Sequence, residues 1–159
     1  MVVPDPNPNS ERRDPAASRV DTHVFYTSPF TVAGRLRSFH HAIMGVWFVL
    51  KSQHNAWLHA VATVLALGLA TTLQLTGVRS FTFGEWSALV LAMVMVWMAE
   101  TFNTGLEVLA EAISKERHPI LKIAKDIAAA AVLIAAVGAV VVGCILFLPP
   151  LITLVWQLF

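Results

Sequence analysis

Three long stretches almost free of charge constrain this chain more than any other feature. Ala60 to Val78 is 19 residues with no charged side chain, Trp86 to Leu106 is 21 residues with Glu100 as the single charge, and Ile127 to Phe159 carries none. At 1.5 Å per residue the first run makes a helix of about 28 Å, matched to a hydrocarbon core of about 30 Å. In lipid each backbone polar group must find its partner within the structure, so a single run of this kind spans as a helix. Proline removes an N–H and collides with the carbonyl four residues back. Pro149-Pro150 are therefore expected to divide the last run into a 22-residue span, Ile127 to Leu148, and a short apolar tail, 149–159. The expected fold is an all-α integral membrane protein with three transmembrane helices, at about 58–78, 86–106 and 127–148.

Composition narrows the function classes. Only 13% of residues are charged and the net charge is +1, which excludes an ordinary soluble globule and leaves no field to gather nucleic acid. The single cysteine, Cys144, excludes an intrachain disulfide and a zinc cluster of cysteines. Residues 1–34 are polar and contain Pro4, Pro6, Pro8, Pro15 and Pro29, a composition expected to form a disordered leader. Arg12-Arg13 is followed by no apolar segment and does not read as an export signal. Between leader and first span, Leu36, Phe39, Ile43, Val46, Trp47 and Leu50 recur at helical spacing, predicting an amphipathic surface helix over 35–52.

Lysine and arginine set the orientation. Arg35, Arg37 and Lys51 precede the first span, and Lys115, Arg117, Lys122 and Lys125 lie between the second and third, whereas the loop from Arg79 to Glu85 has one base. The positive-inside rule then places the N-terminus and the second loop in the cytoplasm and the C-terminus outside.

An acid inside a span costs about 2.5–3.5 kcal/mol near the bilayer centre, which makes Glu100 a functional candidate. At 100° per residue Asn103, Glu107 and Glu111 all fall within about 60° of it. Glu107 lies about 10.5 Å nearer the cytoplasm along the axis, on the side where Lys125 and Asp126 open the third span. Carboxylates and a lysine at this depth suit phosphoryl transfer, which needs Mg²⁺ on one or two carboxylates, cations on the phosphates and a proton acceptor. Glu107 is the candidate metal ligand, Lys125 the phosphate contact, and buried Glu100 the general base for a lipid hydroxyl. Neither GxxxxGK[ST] nor a protein-kinase Gly-rich loop is present. Two other readings stay open: a non-catalytic oligomer with Glu100 on a proton or ion path, and a degenerate kinase serving as a scaffold. The first would call for more polar residues at the same depth. The third span has none, and the first offers Thr63, Thr71, Thr72, Gln74 and Thr76.

Two spaced motifs carry a resemblance. Glu100-Thr-Phe-Asn-Thr-Gly-Leu-Glu107 resembles the E-x-x-N-[ST]-[AG]-[IL]-E signature of the bacterial diacylglycerol kinase and undecaprenol kinase family, and Lys125-Asp-Ile-Ala-Ala-Ala-Ala-Val132 resembles its K-D-x-x-[AS]-[AG]-A-V. Ser38-Phe39 with Ala42 and Gly45 is similar to the family's surface helix, and Asn55 with His59 to the N-x-x-x-H of its undecaprenol branch. The resemblance implies an ATP-dependent lipid kinase of the bacterial inner membrane, a homotrimer with active sites between subunits and Mg²⁺ as cofactor. It assigns Glu100 as general base, Asn103 as its support and Glu107 as metal ligand. It sets Glu116, Arg117, His118, Lys125 and Asp126 around the nucleotide, with His41 where an aromatic stacks on adenine. Trp97, one turn before Glu100, is a candidate border for the lipid tail. The sequence departs from the family at Gln53, where many members have a second metal-binding Glu and a neutral amide is a weaker ligand for a hard cation. His41 stands for a common Tyr, Trp57 for a frequent Arg and Glu111 for Asp. His40 and His54 are expected to face solvent or headgroups, and Met93, Met95 and Met98 to pack or to touch lipid.

Overall fold

The computed structural model describes residues 31–116 and 118–156, and four helices, with no strand, account for nearly all of them. The leader, apart from residues 31–34, and Arg117 lie outside the described residues. By internal contacts the chain divides into residues 1–39 and 40–159, a boundary that falls inside the first helix, α1 (Val32–Ser52). In the first unit the described residues form the opening turns of α1, three residues earlier than the periodicity predicts. Thr31 explains the earlier start: its Oγ1 accepts the Gly34 N–H at 3.1 Å, filling one of the orphan donors of a helix N-terminus.

The second unit holds the rest of α1 and the three apolar helices α2 (His54–Leu75), α3 (Phe83–Ile113) and α4 (Pro119–Trp156). All three are long and apolar enough to cross a membrane. α3 packs extensively along α4, and α2 more sparsely on α3. Most large apolar side chains on the outer faces are exposed, which lipid tolerates and water would not. Gly77, in the left-handed region at φ 73°, lets the chain reverse after α2. α3 then opens on a capping box: Thr82 Oγ1 accepts from the Glu85 N–H, and Glu85 Oε2 accepts from the Thr82 N–H at 2.8 Å. Pro119 starts α4, where its missing N–H is one the helix would not have used.

The apolar core sits where α2 ends, α3 begins and α4 nears its end, and is made of Ala70, Leu73, Phe81, Leu89, Leu146 and Phe147. The expected break at Pro149-Pro150 does not occur. α4 runs through both prolines to Trp156, so the predicted tail is helical over 149–156, and residues 157–159 lie outside the described residues. Pro150 cannot donate to the Leu146 carbonyl, and Arg79 donates to that carbonyl instead, which supplies the partner whose loss would otherwise end the helix. Arg79 is itself fixed by Glu85 at 2.5 Å and by the Phe81 ring 4.8 Å away.

Candidate active site

The acidic stripe of α3 is placed by helix geometry alone, but its surroundings come from α2. Glu100 and Thr104 are the most deeply buried large side chains, at 1% and 2% exposure, and Asn103 is buried beside them. Thr104 Oγ1 donates to the Glu100 carbonyl and so spends its proton on the backbone. The Glu100 carboxylate has no hydrogen-bond partner among the described residues, and its nearest charged or chargeable neighbour there is His59 of α2, with Nε2 3.8 Å from Oε2.

Two turns on, Glu107 is held by two amides. Gln53 Nε2 donates to Glu107 Oε2 at 3.0 Å, and Asn103 Nδ2 donates to Oε1 at 3.3 Å. Gln53 is the N-cap residue of α2, but its side chain makes no capping bond and crosses to Glu107 instead. Asn103 Oδ1, the other end of the Asn103 amide, is buried without a partner among the described residues. No group of three or more His, Cys, Asp or Glu able to hold a metal occurs among the described residues. One carboxylate aimed by two amide donors nevertheless fits Mg²⁺, which binds one or two carboxylates and completes its shell with phosphates and water.

The predicted nucleotide residues divide. Glu116, His118, Lys125 and Asp126 line one open cleft of about 600 Å³ between the end of α3 and the start of α4, with Glu111, Lys115 and Lys122. Glu107 does not line it. Lys125 and Asp126, adjacent in sequence, do not pair with each other: Asp126 is bound by Lys122 one turn back at 2.5 Å, which leaves Lys125 facing the cleft. His41 is exposed on α1 with its ring against His40, centroids 5.9 Å apart, and is not brought to the cleft.

Trp97 lines an apolar groove of about 640 Å³ with Val46, Val49, Thr63, Met93 and Phe102 among others. Its Nε1 donates to Thr63 Oγ1 at 3.1 Å, and its ring meets the His59 imidazole edge-on at 6.5 Å. The helical wheel of α3 could not reveal His59 and Thr63, because they belong to another helix. The available signal was a lone histidine immediately before a charge-free run, four residues ahead of a threonine.

Residues 40–147 match the prokaryotic diacylglycerol kinase family. The chain belongs to that family. It is similar to a diacylglycerol kinase of Synechocystis, 37% identical over 120 residues covering 75% of this chain and 65% of that protein. The chain thus spans just under two thirds of that relative's length. It is also similar to the undecaprenol kinase of Bacillus subtilis, 32% identical over 115 residues, 72% of this chain and 89% of that one. The diacylglycerol kinase of Escherichia coli is 28% identical over 122 residues, 72% and 95% of the two chains. No solved structure matches. Its three helices of membrane length accord with membership of this family.

Proposed function

We propose that the chain transfers the γ-phosphate of ATP to the hydroxyl of a membrane lipid, undecaprenol or diacylglycerol, at the cytoplasmic face of the bacterial inner membrane. The observation that carries this reading is the buried Glu100 carboxylate, without a hydrogen-bond partner among the described residues, two turns from the amide-clamped Glu107. Glu100 takes the proton of the lipid hydroxyl, for which a buried carboxylate without competing donors is suited. Glu107, aimed by the Gln53 and Asn103 amides, would hold Mg²⁺. The ion, when bound, neutralises charge on the transferring phosphates. Lys125 in the α3–α4 cleft contacts phosphate, and the groove beside Trp97 accepts the lipid tail.

The matches to Asn55 and His59 favour undecaprenol. Glu107 and the Lys125 cleft are separate in one chain, and a single subunit does not enclose ATP, a metal and a lipid together. A homotrimer with sites between subunits meets that need. The test is transfer of labelled γ-phosphate by the purified protein in mixed micelles, with each lipid offered separately. Labelled lipid is expected from the unsubstituted protein and a loss of about 10²-fold or more from Glu100→Gln. Equal labelling by the variant would remove Glu100 from the chemistry. Isothermal titration of Mg·ATP separates the kinase from a degenerate scaffold, which would bind none.

A further inference from the structure

Four buried side-chain atoms where α2 faces α3 have no partner among the described residues: His59 Nε2, Glu100 Oε1 and Oε2, and Asn103 Oδ1. A buried polar atom left without a partner is costly, so these four, one on α2 and three within one turn of α3, mark a place where something else completes the set. Three are acceptors, and the imidazole Nε2 donates in one of its tautomers. What they lack is a small group that both donates and accepts, and the hydroxyl of an alcohol is such a group. The spacing agrees: 3.8 Å from His59 Nε2 to Glu100 Oε2 is too long for a hydrogen bond, but one oxygen at about 2.8 Å from each atom closes the triangle.

The turn of α2 that carries His59 is tied to α3. Thr63 Oγ1 donates to the His59 carbonyl at 2.7 Å and accepts from Trp97 Nε1 at 3.1 Å, and the indole backs the imidazole edge-on at 69°. Thr63 and Trp97 also line the apolar groove, so an alcohol whose tail occupies that groove ends beside His59.

We infer that His59 contacts the acceptor lipid, its Nε2–H donating to the hydroxyl oxygen and holding the hydroxyl with its proton on Glu100. The inference rests on the lipid-kinase reading. In the transfer the hydroxyl O–H bond breaks and its proton goes to Glu100. The second lone pair of the oxygen forms the bond to the γ-phosphorus, and the bond from that phosphorus to the β–γ bridging oxygen breaks, its electron pair leaving with ADP. His59 keeps its proton throughout and sets which lone pair faces phosphorus.

The test compares His59→Phe and His59→Leu, which remove the donor at two sizes, with His59→Gln, which keeps an N–H donor. All are made in the full chain in mixed micelles. Lipid and ATP concentrations are varied separately in the labelling assay, and Mg·ATP affinity is measured by titration. Both donor-less variants are expected to lose about tenfold or more in kcat/KM for the lipid. Mg·ATP affinity should stay within about twofold, and His59→Gln should recover most of the lipid term. Lipid kcat/KM within about twofold of the unsubstituted protein in either donor-less variant overturns the inference. Parallel loss of Mg·ATP binding in all three variants also overturns it, since that pattern belongs to a structural role. An unsubstituted protein that labels no lipid overturns the kinase reading and this inference with it.

Discussion

At the scale of single residues, the site is organised by amides and a histidine around two carboxylates, and each contact has a separable role. Gln53 donates to Glu107 from a helix N-terminus whose own capping it forgoes, so its work is to aim the carboxylate. A hydrogen bond to a charged group contributes about 1.5–3 kcal/mol, and Gln53→Ala should therefore raise the Mg²⁺ concentration for half-maximal labelling about tenfold. A Mg²⁺ titration of activity checks this, and an unchanged midpoint would show that Glu107 is aimed by Asn103 alone. Glu100, Asn103 and Glu107 were legible from spacing, because 100° per residue is a property of any helix. The donor to Glu107 and the neighbour of Glu100 were not, because they arrive from α2 and depend on how two helices meet.

At the scale of elements, the informative case is α4. A Pro-Pro pair is a sound reason to expect a helix to end, and the chain instead continues to Trp156 because a side chain from the α2–α3 loop replaces the missing donor. Arg79→Ala should destabilise the protein by about 1–3 kcal/mol, the cost of an unsatisfied buried carbonyl, read as a fall in the thermal midpoint in detergent. Pro150→Ala restores an N–H to the Leu146 carbonyl, so in that background the same Arg79 substitution should cost about 1 kcal/mol less. Strict additivity in the double-mutant cycle would mean that Arg79 acts only through Glu85 and Phe81. The start of α3 offers a simpler case: Thr82→Ala removes the capping box and should cost about 1 kcal/mol without touching the site, visible as a lower midpoint with unchanged lipid labelling.

At the scale of the whole molecule, charge and assembly decide what the site can reach. Basic residues flank the start of α2 and the α3–α4 loop, while Arg79 is alone on the opposite turn, so the Glu107 end of α3 is expected to face the cytoplasm. In a Cys144→Ser background, a membrane-impermeant thiol reagent should label Ser80→Cys on intact cells and Ser114→Cys after lysis. The reverse pattern would place the site on the face without ATP. A homotrimer predicts a protein mass in detergent of three times the 17.3 kDa chain by light scattering, and a monomeric active enzyme would require one subunit to unite Glu107 with the Lys125 cleft.

The runs without charge were enough to require three helices of membrane length, because lipid leaves a chain so few ways to satisfy its backbone. The spacing of Glu100, Asn103 and Glu107 likewise needed only the helical repeat, and two motifs pointed to a family that the match over residues 40–147 bears out. Contacts between helices lay beyond any such reading. That Gln53 holds Glu107, that His59 faces Glu100, and that Arg79 reaches the Leu146 carbonyl each depend on how separate elements meet. A local repeat fixes where a side chain points around its own axis, and only packing fixes what stands opposite.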